Sequence, residues 1–498
     1  MELQEKLQVY IDAKFPLIYI CSFEEEKMDV IITKVAGNRR VFEWNELQRY
    51  RDMTNKRILN PEYGLKQVLT EGAIYGDLDR KILVIKDIQN YLDNPEIVNL
   101  LKNVCVQIVS GRLDTIIILV SSVVKIPKAL EEYMTIIESE YLNEEEIEII
   151  IEEFMEENKS WISEELKKEM VISFKGLSQM EIENILALVY VQDGEFTKKH
   201  LELILEQKYQ TIKKSGILEM IPLSENMDDI GGLEELKTWI IKKAKILKNM
   251  SKAKAFGVEL PKGVLIAGTP GCGKSLSAKA TAKLMEIPLL KLDMGRIMGK
   301  YVGESEENMR KAIALAEAIS PCVLWVDELE KAMSGIGNSG GSGEVTTRLF
   351  GQFLTWMQEK KSAVFVVATA NNISKLPPEL LRKGRFDEIF YVELPDEEER
   401  ENIFRIHIGK RRKSDLSKIN IKSLIDKTKG YSGADIEGVV RDAVEEVFVE
   451  GREQLTTEDL EKAIKNTHPL SEIMKKELEV MKKEYEERNY KKASKKER

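Results

Sequence analysis

Short apolar runs, each followed by a longer stretch of helical spacing, punctuate the chain twice over. In the first half they are Leu17-Ile18-Tyr19-Ile20, Ile82-Leu83-Val84-Ile85 and Thr115-Ile116-Ile117-Ile118-Leu119-Val120. In the second half they are Val264-Leu265-Ile266-Ala267, Cys322-Val323-Leu324-Trp325-Val326 and Val364-Phe365-Val366-Val367-Ala368. A strand apolar at every position is buried on both faces, which points to parallel sheets with helices on either side. The two series match in order and in spacing. Farther on, Leu142-Asn143-Glu144-Glu145-Glu146 echoes Leu394-Pro395-Asp396-Glu397-Glu398, and Gly176-Leu177-Ser178 echoes Gly430-Tyr431-Ser432. The pattern predicts an α/β protein with a weak internal repeat; the alternative is a generic α/β domain whose echo is coincidental.

Chemistry separates the halves. The second carries Gly268-Thr269-Pro270-Gly271-Cys272-Gly273-Lys274-Ser275, followed by Leu276, between an apolar strand and a helix. Glycines let such a loop aim its N–H groups inward at phosphate oxygens, and the helix adds its positive end. Lys274 supplies a cation for the β- and γ-phosphates, and Ser275 a hydroxyl for Mg²⁺. The strand at Cys322 ends in Asp327 and Glu328; the first suits Mg²⁺, the second an attacking water. Asn371 ends the next strand, where its amide can bridge the γ-phosphate and that water. Arg382 and Arg385 follow as candidates for charge on the transition state. In the first half Ser22-Phe23-Glu24-Glu25-Glu26-Lys27 occupies the loop position. It has no glycine, and its carboxylates repel phosphate. That half is expected not to bind ATP and to serve docking or regulation.

Composition removes other classes. A net charge of −10 argues against a general grip on nucleic acid. The apolar runs are too short to cross a bilayer, and the opening Met1-Glu2-Leu3-Gln4-Glu5-Lys6 is unlike a secretory signal. Four scattered cysteines fit free thiols in the cytoplasm, and three scattered histidines give no zinc-protease helix.

With these motifs in this order, residues 228–470 resemble an AAA+ ATPase of the AAA clade. Asp229-Ile230-Gly231-Gly232-Leu233 is similar to that clade's opening segment beside the adenine, and Gly433 and Ala434 to the start of its lid helix. Asn371 matches its first sensor, and Arg382 and Arg385 its paired arginine fingers, which act on the neighbouring subunit's nucleotide. The resemblance therefore implies a homo-oligomeric, hexameric ring. Finer detail, including Pro16-Leu17-Ile18-Tyr19 before Glu24-Glu25-Glu26 and Arg382-Lys383-Gly384-Arg385-Phe386-Asp387, resembles an uncharacterised AAA ATPase family of cyanobacteria and plastids with bacterial relatives. Lys300, Tyr301 and Val302 are similar to the pore loop of AAA unfoldases, where an aromatic grips substrate; the alternative is a helix-capping loop with a packed tyrosine. The glycine-rich stretch Gly335–Gly343 falls where the family has a second pore loop, and its composition predicts flexibility.

The expected organisation is a degenerate AAA+-like module over 1–205, a linker over 206–227, a P-loop NTPase subdomain with a parallel sheet flanked by helices over 228–394, a helical lid over 395–470, and a solvated helical tail over 471–498. The expected activity is hydrolysis of ATP with Mg²⁺ by a ring that remodels or disassembles protein complexes. The alternative is an ATP-dependent switch or scaffold that recruits partners through the first module without threading. A clamp loader or DNA-bound initiator is disfavoured by the acidic charge, and the client protein is not legible.

Overall fold

Among the described residues, seven strands build the first sheet: β1 (Leu17–Cys21), β2 (Arg40–Asn45), β3 (Arg49–Asp52), β4 (Arg57–Asn60), β5 (Lys81–Lys86), β6 (Ile116–Ser121) and β7 (Met134–Glu138), in the order β4-β3-β2-β5-β6-β1-β7. All pairs are parallel except β2–β3 and β3–β4. Successive residues of the central strands feed opposite cores. Leu17, Tyr19, Leu83, Ile85, Ile117 and Leu119 enter one, whereas Ile18, Ile20, Ile82, Val84, Ile116 and Ile118 enter the other. Burial on both faces is why these segments are apolar without alternation. This computed structural model describes residues 3–495 apart from 23, 76–77, 123, 139–140, 215, 298–303, 333–340, 383 and 489. It divides into two units, residues 1–159 with 178–192, and residues 160–177 with 193–498.

The second unit's sheet comprises β8 (Leu218–Ile221), β9 (Gly263–Gly268), β10 (Leu289–Leu292), β11 (Cys322–Val326), β12 (Val364–Ala370), β13 (Glu388–Val392) and β14 (Lys491–Lys492), in the order β14-β13-β9-β12-β11-β10-β8. Among the described residues, only β8 runs antiparallel to its neighbour. Without the outer additions the two sheets read β7-β1-β6-β5-β2 and β13-β9-β12-β11-β10, one layout twice. The expected repeat is therefore present as topology, with β1, β5 and β6 in the places of β9, β11 and β12. It continues beyond the sheets. Capping boxes at Asn143/Glu146 and Asp396/Glu399 open the helices Glu144–Glu157 and Glu397–Arg412. Gly176 and Gly430 have φ of +85° and +86°, and reciprocal bonds follow at Ser178/Glu181 and Ser432/Asp435. Helices between Glu397 and Asn466 close over a separate core around Phe404, Leu424, Ile436 and Val440, forming the lid.

Two expectations on the flanks are corrected. Residues 206–227 are not an irregular linker: the helix His200–Lys214 runs through their start, and β8 joins the sheet beside β10. Ile204, Lys208 and Ile212 bury at four-residue spacing, and Leu218 and Met220 bury alternately. That helix and Glu164–Phe174 both lie in the second unit, so the 1–205 boundary does not follow the units. The tail is not merely solvated either. Met481 and Tyr485 enter the core beneath the sheet, and Tyr485 stacks on Tyr391 at 3.6 Å between centroids. β14 then extends β13. The fully buried Ala493 turns its carbonyl to the N–H groups of Glu235 and Leu236, in the first turn of the helix Glu234–Lys248.

Candidate functional site

β9 delivers the chain to the phosphate-loop sequence at the C-terminal edge of the sheet, and the helix Lys274–Met285 carries it away. Gly271 and Gly273 take φ of +72° and +84°, which glycine adopts without strain. A Cβ on Gly271 would lie 2.9 Å from the Cβ of Ala434, so the lid helix Gly433–Val449 is seated against the loop. The Ala434 N–H donates to the Gly271 carbonyl at 2.9 Å. Pro270 lies half-buried in the loop. The half-buried Leu276 packs into the core beneath, and burial pushes the Cys272 thiol up to about 11, leaving it protonated at neutral pH.

Lys274 is 6% exposed. Its ammonium donates to the Gly268 and Thr269 carbonyls at 2.8 and 2.7 Å, and burial pulls it down to about 8. A buried cation held by neutral carbonyls in a loop of inward-turned backbone fits an anionic ligand. The Ser275 hydroxyl donates to Asp327 Oδ1 at 3.2 Å, so the two expected Mg²⁺ ligands meet.

The parallel register Val326↔Ala368 sets Asp327 beside Thr369. The Thr369 hydroxyl donates to Asp327 Oδ1 at 2.5 Å and accepts the Glu328 N–H at 3.0 Å. Lys291 of β10 stands 3.9 Å from Asp327 Oδ2 and 4.7 Å over the Trp325 ring. Glu328 has φ +48° and faces two partners: Lys331 at 2.5 Å and the Asn371 carboxamide nitrogen at 3.4 Å. The Asn371 backbone N–H donates to Glu330 Oε1 at 3.0 Å. Glu330 is 6% exposed, and its other oxygen has no hydrogen-bond partner among the described residues.

Ile230 and Gly231 come to the same place. Ile230 is buried against the core that holds the loop helix, and a Cβ on Gly231 would meet Ile403 of the lid. The Leu233 N–H donates to Glu399 Oε1 at 3.0 Å, tying this segment to the lid's first helix. Arg382 and Arg385 are not gathered in: Arg382 is exposed, and Arg385 bonds the Glu379 carbonyl. Among the described residues, no hydrogen bond or ion pair joins either arginine to Lys274, Asp327 or Glu328. Lys300, Tyr301 and Val302 lie outside the described residues, as do residues 335–340 of the glycine-rich stretch.

Sequence reasoning missed Thr369, Glu330, Glu399 and Lys291. Thr369 had a signal, as the one hydroxyl in an apolar strand, and Glu330 had another, as a third acid after Asp327 and Glu328. Lys291 has no local signature, because its partners are distant in sequence, and the local signature of Glu399 is only that of a capping box with Asp396.

Residues 264–394 match the ATPase family associated with various cellular activities (AAA), and 418–462 the AAA+ lid domain. Residues 3–139 and 145–215 match the N-terminal and second domains of SpoVK-like AAA ATPases. The chain is 36% identical over 487 residues to the uncharacterized AAA domain-containing protein ycf46 of Guillardia theta, covering 97% of this chain and 94% of that protein. The ycf46 protein of Pyropia yezoensis is also 36% identical, covering 97% of each. A cell division cycle protein 48 homolog of Archaeoglobus fulgidus is 34% identical over 287 residues, covering 56% of this chain and 37% of that protein.

Proposed function

The chain belongs to the AAA ATPases, in the group of SpoVK-like and ycf46 AAA proteins, and from that premise we propose a ring-forming machine that hydrolyses ATP to remodel or disassemble protein complexes in the cytoplasm. What carries the reading is the meeting of Lys274, Ser275, Asp327, Glu328 and Asn371 at one sheet edge, with the lid seated on Gly271.

A triphosphate offers Lys274 anionic acceptors in place of two neutral carbonyls, a stronger, charge-assisted bond. Ile230 and Gly231 would flank the base on one side, and Gly433 and Ala434 on the other. Ser275 and Asp327 would hold Mg²⁺, which when bound supplies positive charge at the phosphate oxygens. Glu328 takes the proton of the attacking water, and Asn371 orients that water and reads the terminal phosphate. Arg382 and Arg385, uncommitted to their own site, would complete the site of the next subunit. The Glu399–Leu233 bond gives the lid a handle on the nucleotide segment, through which its movement would reach Tyr301 in the pore.

The deciding experiment is the ATPase rate per subunit against protein concentration, wild type beside Arg385→Ala. A rate that rises with concentration, with a variant that binds ATP but hydrolyses it at least about 100-fold more slowly, is the expected result. A flat rate, indifferent to the substitution, removes the ring motor and leaves an ATP-dependent switch.

A further inference from the structure

Thr369 is an unusual residue for its place. Every position of β12 is buried, and Thr369 retains 1% exposure. A hydroxyl there is costly unless its bonds are made. Its one hydrogen goes to Asp327 Oδ1 at 2.5 Å, and it accepts the Glu328 N–H at 3.0 Å. The polarity is fixed, since a carboxylate can only accept and a backbone N–H can only donate.

The second bond bears on a strained point. Glu328 sits in the left-handed region at φ +48°, which is unfavourable for a residue with a Cβ. This turn breaks the line of β11 and sends the carboxylate toward the Asn371 carboxamide, 3.4 Å away. Strain of this kind persists where neighbouring groups hold it in place. Among the described residues, Thr369 is what holds the Glu328 N–H. Its branched side chain also restricts χ1, so the hydroxyl is delivered in one orientation.

We propose that Thr369 is a positioning residue for hydrolysis. One hydroxyl sets the Asp327 carboxylate and the backbone turn that aims Glu328, coupling the metal ligand to the group that activates water. The inference rests on the roles assigned above to Asp327 and Glu328. The competing account is that Thr369 only satisfies buried polar groups and contributes to folding.

The full chain is compared as wild type, Thr369→Val, Thr369→Ser, Thr369→Ala and Glu328→Gln, with kcat and KM for ATP, affinity for a non-hydrolysable analogue, and Tm measured for each. Valine keeps the shape and removes the hydroxyl. Thr369→Val is expected to bind the analogue within about twofold of wild type and to lose about 10- to 100-fold in kcat, as a misplaced reacting group does. Thr369→Ser is expected to recover to within about threefold of wild type because it restores both bonds. If the valine variant fails to fold, Thr369→Ala between Ala368 and Ala370 carries the same expectation. A wild-type kcat in the valine or alanine variant overturns the inference. So does a serine variant as slow as the valine one, which assigns the effect to packing. Glu328→Gln separates the two levels: if it hydrolyses ATP at the wild-type rate, the role of Glu328 itself is wrong, whatever Thr369 does.

Discussion

Lys208 takes a charge where water does not reach. It is 1% exposed, and its ammonium donates to the Ser173 carbonyl at 2.9 Å, near the end of the helix Glu164–Phe174. Burial pushes it down to about 7, with Lys175 acting in the same direction and the Cys322 sulfur in the opposite one. Below pH 7 the folded and unfolded chains both hold the proton, and the folded state bears the whole cost of burying it. Between about 7 and the unfolded value near 10.5, the unfolded chain binds more protons, so stability rises with pH. Lys208→Met should therefore stabilise the fold most at pH 6, by up to about 5 kcal/mol, with the gain in stability and Tm narrowing toward pH 10. Melting curves at several pH values decide it, and a gain independent of pH would refute the assignment. Lys208 also marks what sequence hides at this scale. Asp327, Glu328 and Asn371, which meet at one sheet edge, stand out in the sequence with Lys274 because a phosphate-loop motif has a fixed order of residue types. A lysine in an amphipathic stretch reads as solvent-facing, and its burial depends on a helix far away in sequence.

At the scale of elements, the central strands were legible and the additions were not. β9, β11 and β12 are buried on both faces, and their composition says so. The tail helix Lys475–Glu487 mixes Lys and Glu along most of its length, and its two anchors, Met481 and Tyr485, are four residues apart. Two apolar residues at that spacing are a faint stripe, and a two-residue strand such as β14 has no pattern at all. Their energetic weight is larger than their signal. Tyr485→Ala removes a ring stacked on Tyr391 inside the main core, at a cost of about 3–5 kcal/mol. The outcome expected in denaturant titration is a lower midpoint, with earlier proteolytic cleavage after Lys482 and Lys483. Glu479→Ala, on the exposed side of the same helix, should stay within about 0.5 kcal/mol of wild type. Equal behaviour of the two variants would mean that the tail does not dock.

Across the whole molecule, one layout is used twice with opposite charge at the corresponding place. The duplication was legible because both copies keep the apolar strands and the caps of the helices after them. Only the geometry reveals how the first copy fills its phosphate position. In the second unit the lid helix donates the Ala434 N–H to the Gly271 carbonyl, and Lys274 donates to the Gly268 and Thr269 carbonyls. In the first unit the matching helix donates the Gln179 N–H to the carboxylate of Glu24 at 2.6 Å. Lys86, at the end of β5, is held by Asp29, Glu25 and Glu43 at 2.8, 3.4 and 3.5 Å, and Glu43 is fully buried and also paired to Arg51. The first copy thus carries carboxylates where the second carries the Lys274 cation, and a nucleotide there would meet repulsion rather than a cradle. The expected result is one nucleotide per chain. Calorimetric titration with a non-hydrolysable analogue should give a stoichiometry near one for the wild type and no measurable binding for Lys274→Ala, whose side chain bonds two loop carbonyls among the described residues. A full-occupancy site surviving in Lys274→Ala would place nucleotide on the first unit, and its carboxylates would then need a different explanation.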